Sequence, residues 1–328
     1  MPTTRTTPSP LPIAVTMGDP CGIGPEIVLK AIARAPDPTR LIAVGDPDWL
    51  AAEARRLTLP LPPRVEPAAR VPADLVHGRI DHRAGEAAYR AIVTATRLAR
   101  TGAVRAIVTA PISKEALQAA GYQYPGHTEL LAELAGGVEV RMMLANADLR
   151  VALVSIHVAL AQAVRHLNRA DIVRTIEITD RALRAAGLSA PRMAVAGLNP
   201  HAGEAGLFGR EEIDIIAPAV NEARARGIDV KGPFAPDTIF MRARGFAQFD
   251  VVIAMYHDQG LIPIKYLGLD QGVNITIGLP FVRTSPDHGT AFDLAGALGP
   301  DGCGLADPAS LIAAISAADQ LSRAAAGA

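Results

Sequence analysis

Apolar residues in this chain fall into short, mostly apolar runs separated by longer stretches of helical spacing. The runs lie at 12–17, 41–45, 104–110, 140–144, 150–156, 193–198 and 250–255, most of them rich in Val and Ile. Runs this short and this apolar read as strands buried on both faces of a sheet. Between them the spacing changes to threes and fours. Ala88, Ile92, Ala95 and Leu98 form one stripe, and Ile172, Ile176 and Leu183 another, the second opened by Asn168 and stopped by Gly187. Pro25 and Glu26 suit the first turn of a helix after the first strand, a further helix is expected from about Glu211 to Gly227, and an Ala-rich one follows Asp307-Pro308. Prolines at 60, 62, 63, 67 and 72 mark a loop-rich stretch. Strands alternating with helices over the whole length predict an α/β protein with a largely parallel sheet.

The chemistry sits where the strands end, the place where open α/β sheets bind ligands. The first strand runs into Gly18-Asp19-Pro20-Cys21-Gly22-Ile23-Gly24. That glycine turn has neither the third glycine of a dinucleotide fingerprint nor a Walker lysine, and reads as a tight βα turn. His127 and Thr128 fall at a helix start, where backbone N–H groups favour anions. His157, His201 and His257 each follow an apolar run, which in a parallel sheet puts all three at one edge. Three neutral imidazoles suit a divalent transition ion with positions open to substrate oxygens; each alone also suits a polar strand terminus, and the residues by themselves leave both readings open. His77, His82 and His166 read as surface or structural. Lys265 and Arg283, with Asn274 between them, lie in otherwise apolar IPIK and LPFVRT contexts that give charge little purpose unless an anion is held there. Asp237 reads as a helix N-cap or as an acid–base group.

Composition narrows the classes. A chain of 328 residues, 49% hydrophobic and 20% charged, is long enough for two domains with a substantial core. A net charge of −1 excludes a global pull toward nucleic acid or membrane, so an anionic ligand must be held by a few local cations. Only two cysteines, Cys21 and Cys303, occur without metal or redox spacing, which suits a reducing cytoplasm. No apolar run reaches about 18 residues, so no membrane span is expected. Residues 1–10 are expected to be a disordered lead-in, and the Gly/Pro-rich stretches 121–137 and 284–290 to be crossings between two lobes. The first lobe is expected to take in 11–130 with 285–328, and the second 131–284.

The segments MGDPCGIGPEI, TAPISKEAL, PGHTELLAEL, NPHAGEAGLFGREE, GPFAPDTIF, MYHDQGLIPIKYLG and GVNITIGLPFVRTSPDHGTAFDLAG, in this order, closely resemble the 4-hydroxythreonine-4-phosphate dehydrogenase family from about residue 11 to the C-terminus. The resemblance implies a two-lobed fold like isocitrate and isopropylmalate dehydrogenases instead of a standard Rossmann domain, and a homodimer with a shared active site. It implies one divalent metal ion (Zn, Mg or Co) on His157, His201 and His257, one ligand crossing the dimer interface. It places substrate contacts on His127, Thr128, Lys265, Asn274 and Arg283, and NAD (or NADP) beside His288, Gly289, Thr290 and Ala291. The implied reaction is oxidation and decarboxylation of 4-phosphohydroxy-L-threonine to 3-amino-2-oxopropyl phosphate, on the way to pyridoxal phosphate. Catabolic branches of the family act on D-threonate or D-erythronate phosphates or on terephthalate dihydrodiol. A metabolite-binding protein without catalysis is the remote alternative. Two departures touch the pocket walls: Ser155-Ile156-His157-Val158-Ala159-Leu160 stands where relatives commonly show Thr-Thr-His-x-Pro-Leu, and Ala205-Gly206 where a glycine pair is common.

Overall fold

The computed structural model of the chain describes residues 11–268 and 272–327; the lead-in expected over 1–10 lies outside the described residues. Two compact units emerge, the first running to Tyr124 and resuming over His288–Leu311, the second comprising Pro125–Asp287 and resuming from Ile312. The changes of unit at 124/125 and 287/288 fall within the two Gly/Pro-rich stretches. From Ile312 the chain groups with the second unit, where the sequence had suggested the first; Thr284 Oγ1 donates to Ala314 O at 2.7 Å within that grouping.

In the first unit the strands are β1 (Ile13–Thr16), β2 (Leu41–Gly45), β3 (Val65–Pro67) and β4 (Ala106–Thr109), with helices α1 (Gly24–Ala33), α2 (Pro47–Arg56), α3 (His82–Arg100) and α4 (Lys114–Ala119). They align as β3-β2-β1-β4, all parallel, Ile13 lying opposite both Leu41 and Ala106. Every residue of β1, β2 and β4 is buried, as unbroken apolar runs demand. Late in the sequence the chain returns to this unit and is clasped there. Lys30 Nζ donates to Glu26 Oε1, Gly304 O and Ala306 O, each at 2.7 Å, and Glu26 Oε1 accepts Ala306 N at 2.8 Å. Glu26 is buried, so pairing it is what makes its burial tolerable.

The second unit contains α5 (His127–Leu134), β5 (Arg141–Ala145), β6 (Arg150–Leu153), α6 (Leu160–Arg165), α7 (Arg169–Ala185), β7 (Met193–Ala196), α8 (Ala217–Ala225), β8 (Val230–Phe234), α9 (Pro236–Ala243), β9 (Val251–Ala254), α10 (His257–Leu267), β10 (Val273–Ile277), β11 (Val282–Pro286) and α11 (Ala309–Gly327), the last beginning three residues before the unit resumes. Its strand order is β11-β10-β5-β6-β9-β7-β8. The β11-β10-β5-β6 part is antiparallel and the β6-β9-β7-β8 part parallel. A core of Leu144, Val151, Leu153, Val252, Ile239, Leu261 and Ile264 lies between this sheet and helices α9 and α10. This unit's sheet departs from the largely parallel one expected, because β11, β10, β5 and β6 run antiparallel in succession, Asn274 lying opposite both Ser285 and Leu144.

Candidate functional site

Strands β6, β9 and β7 are parallel neighbours, with Leu153 opposite Ala254 and Val195 opposite Ile253. Their carboxyl ends feed His157, His257 and His201. The first two face each other, ring centroids 6.0 Å apart. His257 opens α10, and its Nδ1 lies 2.6 Å from Asp258 Oδ1. A carboxylate at Nδ1 fixes that nitrogen as the protonated one and leaves the Nε2 lone pair to act as a ligand. Helix α10 itself was not legible, since Gly260 and Pro263 lie inside it. It stands because a side chain at Gly260 would meet Leu153 Cδ2 at 2.6 Å and Val151 Cγ1 at 2.8 Å, so only glycine lets the helix down onto β6. Buried Gln259 fastens the same corner: its Oε1 accepts Met255 N and its Nε2 donates to Gly197 O, both at 2.7 Å. Neither Asp258 nor Gln259 carried a sequence signal beyond standing next to His257.

His201 takes a different course. It is exposed, its ring 6.2 Å from that of Phe208, and it opens a left-handed turn in which His201, Ala202, Glu204 and Ala205 all have φ between 42° and 54°. Each such non-glycine residue costs on the order of 1 kcal/mol, so the turn needs outside support. Buried Glu212, in a π-helical turn over Glu212–Ile216, accepts Leu198 N and Asn199 N at 2.7 Å, while Asn199 Nδ2 donates to Glu212 Oε2 at 3.0 Å. Among the described residues no three His, Cys, Asp or Glu side chains are placed to hold a metal ion within one chain. Two of the expected ligands are brought together and the third is not.

A second cluster forms around Arg283. It is 2% exposed, its Nη1 donates to Thr276 Oγ1 at 2.8 Å, and burial lowers its pKa to about 9. Asn274 and Thr276, two apart on β10, share a face, and Asn274 Oδ1 is buried without a partner. His127, the first residue of α5, has its Nε2 shut from solvent and unpartnered. Burial, and then the positive charge of Arg283, hold the His127 pKa well below the usual histidine value, so this imidazole is neutral at pH 7. The buried guanidinium lies close enough to act on the neutral His127 imidazole, whose Nε2 has no partner, and Asn274 Oδ1, also without one, stands on the strand face that Arg283 contacts through Thr276; such groups suit a polar ligand. Thr128 follows in the first turn of α5. Lys265 differs from expectation in having an internal counter-charge, Asp287 Oδ2 at 2.9 Å. Asp237 is exposed within the first turn of α9; the cap position belongs to Ala235, so the N-cap reading does not hold.

In the first unit, Thr290 O accepts Ile23 N at 3.0 Å, which ties the 288–291 loop to the glycine turn. His288 and Gly289 are exposed and Ala291 has φ 42°. Behind that turn Asp19 is fully buried; its Oδ1 accepts Cys21 N at 2.8 Å and its Oδ2 has no partner. Burial raises its pKa from 3.8 to about 6. The Cys21 thiol is pushed up to about 12 by burial and the neighbouring Asp19, which makes it an inert core group. A carboxyl whose folded pKa is raised costs stability once it ionises: the loss sets in as pH climbs from about 4, is complete above about 6, and amounts to at most roughly 3 kcal/mol. Asp19→Asn is expected to flatten this part of the stability profile in urea melts at pH 4.5 and 7.5. An unchanged difference between the two pH values in the variant would remove Asp19 as its source.

Known proteins match this chain over nearly its full length. The family model for pyridoxal phosphate biosynthetic protein PdxA matches residues 24–318. A 4-hydroxythreonine-4-phosphate dehydrogenase of Beijerinckia indica is 53% identical, covering 94% of this chain and 95% of its own. A D-threonate 4-phosphate dehydrogenase of Pectobacterium atrosepticum is 47% identical over 94% of this chain and 98% of its own. A crystal structure of 4-hydroxythreonine-4-phosphate dehydrogenase from Klebsiella pneumoniae superposes with a TM-score of 0.85 at 44% identity, covering 95% of this chain and 99% of that one.

Proposed function

Because the chain belongs to the PdxA family of dehydrogenases, we propose that it oxidises the C3 hydroxyl of 4-phosphohydroxy-L-threonine with NAD and a divalent metal ion, and that the resulting β-keto acid loses carbon dioxide to give 3-amino-2-oxopropyl phosphate. The observation that carries the reading is the buried Arg283 beside a neutral, unpartnered His127, an arrangement suited to a phosphate or carboxylate brought out of water. Arg283 supplies the charge, His127 and Asn274 the orientation, and the N–H groups at the start of α5 further donors. Lys265 is a second cation that an anion reaches only in competition with Asp287. Asp237, exposed on the first turn of α9, is the acid–base candidate.

His157 and His257 form a donor pair that fits a transition ion, and His201 is the third ligand, one of the three coming from a second copy of the chain. When bound, the ion and NAD supply polarisation of the substrate hydroxyl and a hydride acceptor. Support for a homodimer comes from apolar side chains left exposed after each histidine: Val158 and Leu160, Leu207 and Phe208, Ile262 and Tyr266. NAD is assigned to the loop of His288, Gly289, Thr290 and Ala291.

A second reading has specific support, since a relative 47% identical is named for D-threonate 4-phosphate, which carries a hydroxyl where 4-phosphohydroxy-L-threonine carries an amine. The Arg283 cluster serves either substrate. NADH formation by metal-loaded protein on both compounds decides the matter. A kcat/KM at least about tenfold higher for 4-phosphohydroxy-L-threonine is expected; the reverse ranking assigns the D-threonate branch, and no turnover of either removes both.

A further inference from the structure

The loop after His288 is fixed at its near end by Ile23, and its far end is fixed by a chain of side chains that no part of the reaction uses. Arg56, in the last turn of α2, donates from Nη1 to Gly296 O at 3.2 Å. Its Nε and Nη2 bond to the carboxylate of Glu53, at 3.2 and 2.7 Å. The same carboxylate faces His77 Nε2 at 3.1 Å. Glu53 is 5% exposed, so Arg56 and the His77 ring hold a buried charge, and their hydrogen bonds bring its pKa below the ordinary value despite the opposing effect of burial. Gly296 has φ +76°, and a side chain there would come within 2.8 Å of His77 Cβ, so the loop lies directly on His77. Gly78 N donates to Cys21 O at 2.8 Å, which binds the 77–78 segment to the glycine turn as well. Trp49, the only tryptophan of the chain, lies 5.8 Å from the His77 ring.

We propose that Arg56, oriented by Glu53 and His77, is a positioning residue for the cofactor loop: it holds the carbonyl of Gly296 while Ile23 holds that of Thr290, so that 290–296 is presented in one conformation to the nucleotide. The planar guanidinium is the side chain for this task, because one edge and Nε satisfy a carboxylate while Nη1 remains free to donate elsewhere. A lysine at 56 keeps the charge beside Glu53 and cannot span both partners. The cofactor half of the inference rests on the reading of 288–291 as the NAD loop; the anchoring half does not.

Two measurements separate them. Hydrogen exchange on Arg56→Lys and Arg56→Ala is expected to accelerate in peptides covering 290–297 by about tenfold, the worth of one charged hydrogen bond of roughly 1.4 kcal/mol, with α2 unchanged in the lysine variant. NADH binding, followed by quenching of Trp49 emission, is expected to weaken about five- to tenfold in both variants. KM for the phosphorylated substrate and kcat are expected to stay within about twofold, as they should in Arg97→Ala, a surface control whose arginine pairs with Glu66. Wild-type exchange rates in the lysine variant overturn the anchoring. Faster exchange with unchanged NADH affinity overturns the role toward the cofactor. A wild-type protein that binds no NADH overturns the NAD reading itself, and the exchange data still decide the anchor.

Discussion

Arg283→Met is expected to raise the KM for the phosphorylated substrate by two to three orders of magnitude while leaving the protein at least as stable at pH 7. The first part follows from losing a charge-assisted, desolvated contact, worth about 2–5 kcal/mol when one partner is removed. The second follows from the cost of holding the guanidinium where it is. Its folded pKa is brought down to about 9, and burial is the cause. For a base with a lowered pKa the penalty is present in full below the folded value and is relieved as pH rises above about 9. At pH 7 the whole penalty is therefore present, and an apolar side chain of similar length removes it. Steady-state kinetics beside thermal melts test both halves. A variant that loses several degrees in Tm with KM unchanged would show Arg283 to be an ordinary structural arginine.

His257→Ala is expected to lower kcat/KM by on the order of a thousandfold or more and to abolish metal retention after gel filtration. Wild-type protein stripped by a chelator should recover activity when Zn, Co or Mg is restored, and the variant should not. Asp258→Asn separates ligation from its support: with Asp258 Oδ1 2.6 Å from His257 Nδ1, its loss should weaken metal binding about 10- to 100-fold with little change in substrate KM. His166→Ala, at an exposed position, serves as the silent comparison. Equal metal content in His257→Ala and wild type, by elemental analysis, would dismiss the His157–His257 pair as a metal site.

What the sequence disclosed and what it hid follow one physical line. Runs such as Val251-Val252-Ile253-Ala254 are legible because a strand covered on both faces has no polar alternative. That pattern puts His157 and His257 at strand ends, whereas the pairing of β6 with β9 joins strands about 100 residues apart and is not written in it. The left-handed turn at His201 was out of reach, because it runs against the preferences of its own residues and is imposed by Glu212 from a later turn. Helix α10 was hidden for the same reason: Gly260 and Pro263 argue locally for a break, and packing on β6 overrules them. The approach of His127 to Arg283 joins residues far apart in sequence, and nothing near either one announces it. Lys265 stands out in the sequence as a cation in an apolar context, but its carboxylate partner, Asp287 just after the end of β11, does not.

The clasp of Lys30 and Glu26 onto Gly304 and Ala306 has a bearing on how the chain is made. Synthesis delivers β1, α1 and their neighbours first, and domains generally fold as they emerge. Here the early unit cannot be finished on that schedule: Lys30 neutralises Glu26 from the same helix, but the Gly304–Ala306 segment that covers the pair is synthesised only after the whole of Pro125–Asp287. The first unit therefore lacks this cover, and the hydrogen bond from Ala306 N to Glu26, until synthesis has passed Ala306.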